Sequence, residues 1–234
     1  MIGFYNPSVI LTYVGLCTAI YGMTEALRGD PKIALLCLMV CGICDMFDGT
    51  IARKCKRSED AKSFGIQIDS LCDLVCFGVF PAMLGYGIKA IDVNWFDIAA
   101  SALFVLAAII RLGYYNVQEI NRTASNSGKR EYYQGLPVTS VALLLPVFFL
   151  IDVYVKPFVA FRLYSIALLV IAIAFITPFK IKKPYMHGLI IIAFIGLVIF
   201  FLILTQGQHI RIEEGVNTAY ASQTISHCVG SLFA

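Results

Sequence analysis

Charge is scarce in this sequence. Asp, Glu, Lys and Arg make up 14% of its 234 residues against 59% hydrophobic residues, and mean hydropathy is +0.80. That leaves too little polar surface to cover a soluble domain of this size. The net charge of +3 is small, and no nucleic-acid partner is expected. Histidine is also scarce: His187, His209 and His227 are scattered and carry no assignment. None of them completes a zinc site with Cys41-Gly-Ile-Cys44, which has the C-x-x-C spacing but lies in an apolar run. The eight cysteines do not read as a disulfide scaffold. Cys37, Cys41, Cys44, Cys72 and Cys76 fall inside apolar segments and are expected to be small packing residues. A basic segment and a small-residue cleavage site are missing around the first apolar run, so that run is expected to be a retained span. There is no internal repeat.

What the chain has in quantity is long apolar runs. A helix needs about 20 such residues to cross a bilayer. Runs at 8–27, 32–53, 65–88, 95–117, 136–154, 158–178 and 185–205 predict an all-α, polytopic transmembrane bundle. Asn6-Pro7 would open the first helix, and Arg28-Gly29-Asp30-Pro31 would turn it into the second. Residues 54–63 read as a short charged loop and 118–134 as a longer polar one. The expected organisation is a membrane domain over 1–205 and a polar tail over 206–234. With alternating spans, segments 53–62, 111–130 and 180–183 share one side and hold twelve of the 18 Lys and Arg residues. The bias places the N-terminus and these loops in the cytoplasm.

Against this background four aspartates stand out. "CDMFDGTIAR" (44–53) carries Asp45 and Asp48, and "GIQIDSLCD" (65–73) carries Asp69 and Asp73. Residues three or four apart share a helix face. The two segments are antiparallel neighbours joined by a short loop, so the four carboxylates can converge near the cytoplasmic surface. Buried anions cost at least a few kcal/mol each in a membrane, and like charges oppose one another. Carboxylate oxygens suit hard divalent cations, and four of them suffice for a two-metal site that clamps a phosphate. Gly49, mid-helix, would admit close approach of a ligand, with Gly65 giving similar clearance one turn before Asp69. Ala52 is small and lies one turn beyond Asp48. Arg53 offers a planar fork for phosphate. Two other readings compete: glycine and alanine as helix-packing residues, and the acids as the cation path of a transporter.

Together these residues resemble the signature of the CDP-alcohol phosphotransferase family, D-x-x-D-G-x-x-A-R followed by G-x-x-x-D-x-x-x-D. All eight positions are present: Asp45, Asp48, Gly49, Ala52, Arg53, Gly65, Asp69 and Asp73. The gap of 11 residues between Arg53 and Gly65 exceeds the family's common eight, which implies an extended helix end or loop. The resemblance implies six core spans, to which a seventh is added here, and commonly a homodimer. It implies a membrane enzyme that moves a substituted phosphate from a CDP-linked lipid to an alcohol and releases CMP. Asp45, Asp48 and Asp69 would ligate two divalent cations, Mg²⁺ or Mn²⁺. Asp73 would ligate one of them and act as the base. Gly49, Ala52, Arg53 and Gly65 would line the CDP site.

Further on, "RLGYYN" (111–116), "YYQGLPVTS" (132–140) and "FGIQIDSLCDLVCFGVFPA" (64–82) are similar to the phosphatidylserine synthase branch of that family. The donor would be CDP-diacylglycerol and the acceptor L-serine, with glycerol 3-phosphate and inositol as alternative acceptors. Serine brings a carboxylate, which calls for a cation near the metals. Arg111 is the first candidate, then Arg122, Lys129 and Arg130, with Asn116 and Tyr133 as hydrogen-bonding partners. The expected location is the cell membrane, with the active site facing the cytoplasm.

Overall fold

The computed structural model describes residues 7–54, 58–89, 93–124, 132–155, 159–182 and 186–205. Almost all of them are helical. Helix α1 (Pro7–Leu27) begins with proline in its first turn, where a missing amide costs nothing. It ends at Gly29, whose φ of 82° is one that glycine adopts without penalty. There the amides of Gly29 and Asp30 close onto the carbonyls of Ala26 and Glu25. Asp30 in turn accepts from the amide of Ile33 at 3.0 Å and caps α2 (Pro31–Lys54). The result is a tight antiparallel hairpin. Its seam is lined by small residues: Ala19, Ala26 and Ala34 are fully buried, and a side chain at Gly15 would press on Cβ of Cys44 at 3.3 Å. Cys41 Sγ donates to the Gly15 carbonyl at 3.3 Å across the same seam.

Helix α3 (Glu59–Asp73) starts earlier than the apolar run suggests. Ser58 Oγ accepts from the Ala61 amide at 3.2 Å, and Glu59 and Asp60 fill the first turn, favourable partners for a helix N-terminus. Much of the expected 54–63 loop is therefore helix. Directly after Asp73 the helix widens into a π-helical segment, Leu74–Val79, before continuing as α4 (Phe80–Lys89). Pro81 supplies a cause: its ring displaces the carbonyl four residues back and removes a helical amide.

Helix α5 (Trp95–Ala124) opens on a reciprocal cap between Asn94 and Asp97 and runs on past the expected end at 117. A two-stranded ribbon, absent from the all-α expectation, follows. Strand β1 (Tyr132–Gln134) pairs antiparallel with β2 (Lys180–Lys182), with Tyr133 opposite Ile181. Gly135, at φ 71°, then turns the chain and donates to the Phe179 carbonyl at 2.6 Å. The expected span from 136 begins as a 3₁₀ turn (Val138–Ser140) and becomes α6 (Val141–Val155). Helices α7 (Val159–Ile176) and α8 (Met186–Thr205) complete the described elements.

Phe77, Phe80, Phe104, Leu35, Leu38 and Leu145 are buried where these helices meet. Cys37, Cys41, Cys44, Cys72 and Cys76 are buried with free thiols, the packing role expected of them. By length and composition Val9–Leu27, Glu59–Ile88 and Trp95–Asn121 could each cross a membrane, and Val138–Ile151, Leu163–Ile176 and Ile192–Thr205 are shorter apolar helices.

Candidate functional site

The α2 and α3 backbones bring the aspartates together at one end of the bundle. Asp45 and Asp48 lie on one face of α2, and Asp69 faces them from α3. A carboxylate oxygen from each of the three lies within 4.8 Å of the others. Asp48 is buried at 6% exposure, and Asp45 and Asp69 are half-buried. The carboxyl groups of Asp48 and Asp69 thus face one another across the α2–α3 interface. Two carboxylates that close cannot both carry charge unless a cation stands between them. Asp73, half-buried at the end of α3, lies at electrostatic range of Asp45 and Asp69 rather than within the tight group of three. Ion pairs join Arg28 to Glu25 and Lys62 to Glu59, at the far end of α1 and the start of α3, and neutralise none of these four acids. An all-oxygen, anionic donor set fits a hard divalent cation.

Gly49 follows Asp48 directly. A Cβ built there meets nothing within 4 Å, whereas one at Gly22 runs into Phe80, one at Gly42 meets Ala142 at 2.7 Å, and one at Gly87 runs into the Ala26 carbonyl. Gly22, Gly42 and Gly87 serve helix packing; Gly49 faces open space beside the acids. Its amide also contacts the Asp48 carboxylate. Gly65 is half-buried, one turn before Asp69. The backbones of Ala52 and Arg53 belong to the last turn of α2, but their side chains lie outside the described residues.

The acceptor candidates divide. On α5, the Asn116 side-chain carbonyl accepts from Ser70 Oγ at 2.7 Å, and Ser70 follows Asp69 in α3. Arg111 is buried at 6% exposure. Its guanidinium donates to the carbonyls of Phe175 (3.0 Å) and Gly135 (3.2 Å) and lies 4.7 Å from the centre of the Tyr115 ring. It thereby ties α5 to the end of α7 and to the turn after β1. The side chains of Arg122 and Tyr133, and the whole of Lys129 and Arg130, lie outside the described residues.

Two residues of this neighbourhood carry no distinct signal in the sequence. One is Ser70. The other is Thr12 on α1, whose hydroxyl donates to Asp48 Oδ2 at 3.0 Å.

A bundle of apolar helices that gathers acids against acids at one end defines a membrane protein with a buried acidic cluster whose oxygen donors suit a divalent cation. The model of the CDP-alcohol phosphatidyltransferase family matches residues 5–179, and the chain belongs to that family. It is an integral membrane protein and a transferase. Among curated relatives, the archaetidylserine synthase of Methanothermobacter thermautotrophicus is 29% identical over 180 residues, 77% of this chain and 70% of the relative. The CDP-diacylglycerol–serine O-phosphatidyltransferase of Saccharomyces cerevisiae is 39% identical over 107 residues, 44% of this chain and 37% of that protein. The Helicobacter pylori enzyme of the same name is 28% identical over 151 residues, 63% of this chain and 60% of the relative. The chain thus spans most of the archaeal relative but little more than a third of the yeast one.

Proposed function

We propose that this chain transfers the phosphatidyl group of CDP-diacylglycerol to the hydroxyl of L-serine, giving phosphatidylserine and CMP. The convergence of Asp45, Asp48 and Asp69 beside the open position at Gly49 carries the reaction type. The names of the relatives, and the similarity of 64–82, 111–116 and 132–140 to the serine-using branch, support the acceptor.

Asp45, Asp48 and Asp69 would hold two divalent cations, Mg²⁺ or Mn²⁺, with Asp73 as a further candidate ligand. Bound there, the cations supply charge stabilisation at the phosphate and at departing CMP. Gly49 leaves room for the CDP moiety, with Ala52, Arg53 and Gly65 around it. Asp73 takes the proton of the serine hydroxyl as its oxygen bonds to the β-phosphorus. The bond from that phosphorus to the bridging oxygen breaks, and CMP leaves with the electron pair. Asn116, anchored on Ser70 next to Asp69, is the best-supported acceptor-side residue. Arg111, Arg122, Lys129, Arg130 and Tyr133 belong to the same proposal, with Arg111 acting from the carbonyls that hold it.

The membrane domain extends over 1–205 with seven spans and carries a polar tail at 206–234. The site faces the cytoplasm from the cell membrane, in keeping with the twelve Lys and Arg residues of segments 53–62, 111–130 and 180–183. The family resemblance brings a homodimer with it, which cross-linking in native membranes tests. Purified protein given CDP-diacylglycerol, Mn²⁺ and either serine, glycerol 3-phosphate or inositol decides the reaction. CMP release with serine is expected. Failure to release CMP with any of the acceptors would end the transferase reading, and release with inositol but not serine would end the acceptor assignment.

A further inference from the structure

We infer that Thr12 is a positioning residue for the acidic cluster: from α1, outside the motif that carries the four aspartates, its hydroxyl fixes the Asp48 carboxylate for cation binding. This inference rests on the reading of the cluster as a cation site.

A threonine in a helix has a ready partner for its hydroxyl in the carbonyl four residues back. Three threonines in this protein use it. Thr18 donates to Val14 at 2.8 Å, Thr24 to Ile20 at 3.0 Å and Thr177 to Ile173 at 2.7 Å. Thr12 instead spends its single proton across the helix interface, on Asp48 Oδ2 at 3.0 Å. Thr18, Thr24 and Thr177 are not buried, whereas Thr12 is 8% exposed and Asp48 6%. A hydroxyl has one proton to give, so this bond is made in place of the local one.

The α1–α2 seam keeps that donor in register. One turn beyond Thr12, Gly15 lies against Cβ of Cys44, and the Gly15 carbonyl accepts from Cys41. Cys44 is four residues before Asp48, so the close approach sits one turn from the Thr12–Asp48 bond on both helices. Partners of this kind orient a ligating carboxylate without touching the cation, and their loss typically costs about 10- to 100-fold in metal affinity. The Gly49 amide also contacts Asp48, but it belongs to the same helix and moves with it. Thr12 is a hydroxyl donor that ties Asp48 to α1, whereas its other cross-helix neighbour, Asp69, is an acid.

Mn²⁺ binding to the purified full-length protein, followed by electron paramagnetic resonance without lipid substrate, tests this apart from turnover. Thr12→Val keeps the shape and removes the proton; Thr12→Ser restores it. Thr12→Val is expected to weaken Mn²⁺ binding about tenfold or more, and Thr12→Ser to bind within about threefold of the parent. The Mn²⁺ concentration needed for half-maximal CMP release should move in step. If Thr12→Val binds Mn²⁺ like the parent while Asp48→Asn does not, the positioning role is wrong and the cation site stands. If Thr12→Ser is as weak as Thr12→Val, the effect is one of packing and the inference also fails. If Asp48→Asn itself binds normally, the cation reading fails and takes this inference with it.

Discussion

Asp97 and Asp48 are both carboxylates buried among apolar helices, and their surroundings are built in opposite ways. Asp97, at the start of α5, is 2% exposed. It accepts from Ser165 Oγ at 2.6 Å and from the Asn94 amide at 3.1 Å, while its own amide donates to Asn94 Oδ1. Ser165 and the Asn94 amide both donate to it, so the carboxylate meets hydrogen-bond donors. Asp48, near the end of α2, also has donors in Thr12 and the Gly49 amide, but it faces Asp45 and Asp69 as well. Acid against acid leaves a negative surplus that, among the described residues, no ion pair in the immediate cluster offsets. The first arrangement pins α5 to α7; the second calls for a cation. Burial of an aspartate therefore does not by itself mark a site, and what separates the two is the sign of the neighbours.

The largest expected effect comes from attacking the surplus. Asp48→Asn or Asp69→Asn removes one charge and one ligand, and CMP release should fall by about 10³-fold or more, comparable with losing a major charge-stabilising group. Stripping divalent cations from the parent protein should do the same, reversibly. A variant whose turnover stays within about threefold of the parent would erase the contrast with Asp97. Next in size is Asp73→Asn. Loss of a general base costs about 10²- to 10⁴-fold, and donor binding should persist because the group of three is intact. Near-normal turnover would remove Asp73 from the proton transfer.

Gly49→Ala sharpens the comparison from the ligand side. In a helix interior alanine is favoured over glycine by about 1 kcal/mol, and the added methyl meets nothing within 4 Å. Thermal stability should be unchanged or slightly raised. Turnover should nevertheless fall about tenfold or more if the CDP moiety comes close there, since small displacements at a reacting site are costly. A variant that is both stable and fully active would return Gly49 to the ordinary glycines of the bundle.

The acidic cluster was legible because its logic is local. Spacings of three and four put Asp45 with Asp48 and Asp69 with Asp73, and a short connection made their helices neighbours. The helix starts were partly legible as well: Asp30-Pro31 and Ser58-Glu59-Asp60 are capping sequences, yet the second was hidden because it precedes the apolar run. What could not be read is what depends on tertiary contact. Thr12 and Ser70 are ordinary hydroxyl residues until α1 and α5 dock beside α2 and α3. Arg111 looked like a cation waiting for a substrate carboxylate, and its neighbours turned out to include two backbone carbonyls from segments 24 and 64 residues away. The π-helical segment after Asp73 and the β1–β2 ribbon likewise arise from Pro81 and from a distant pairing, neither of which leaves a periodic trace.

The smallest effect on chemistry should come from Asp97→Asn, and it is the sharpest test of the contrast. The substitution keeps shape and the oxygen that accepts from Ser165. It replaces the oxygen facing the Asn94 amide with a group that donates, so one buried bond is lost and the charge that strengthened the others disappears. The cost should be about 1 to 3 kcal/mol of stability, seen as a lower thermal midpoint in detergent. Turnover per folded molecule should match the parent, and so should the Mn²⁺ requirement, because Asp97 sits at the start of α5 and is not among the acids that face one another across α2 and α3. If Asp97→Asn instead lowered turnover by the factors expected of Asp48→Asn, the sign of the neighbours would not be what divides a structural carboxylate from a functional one in this bundle.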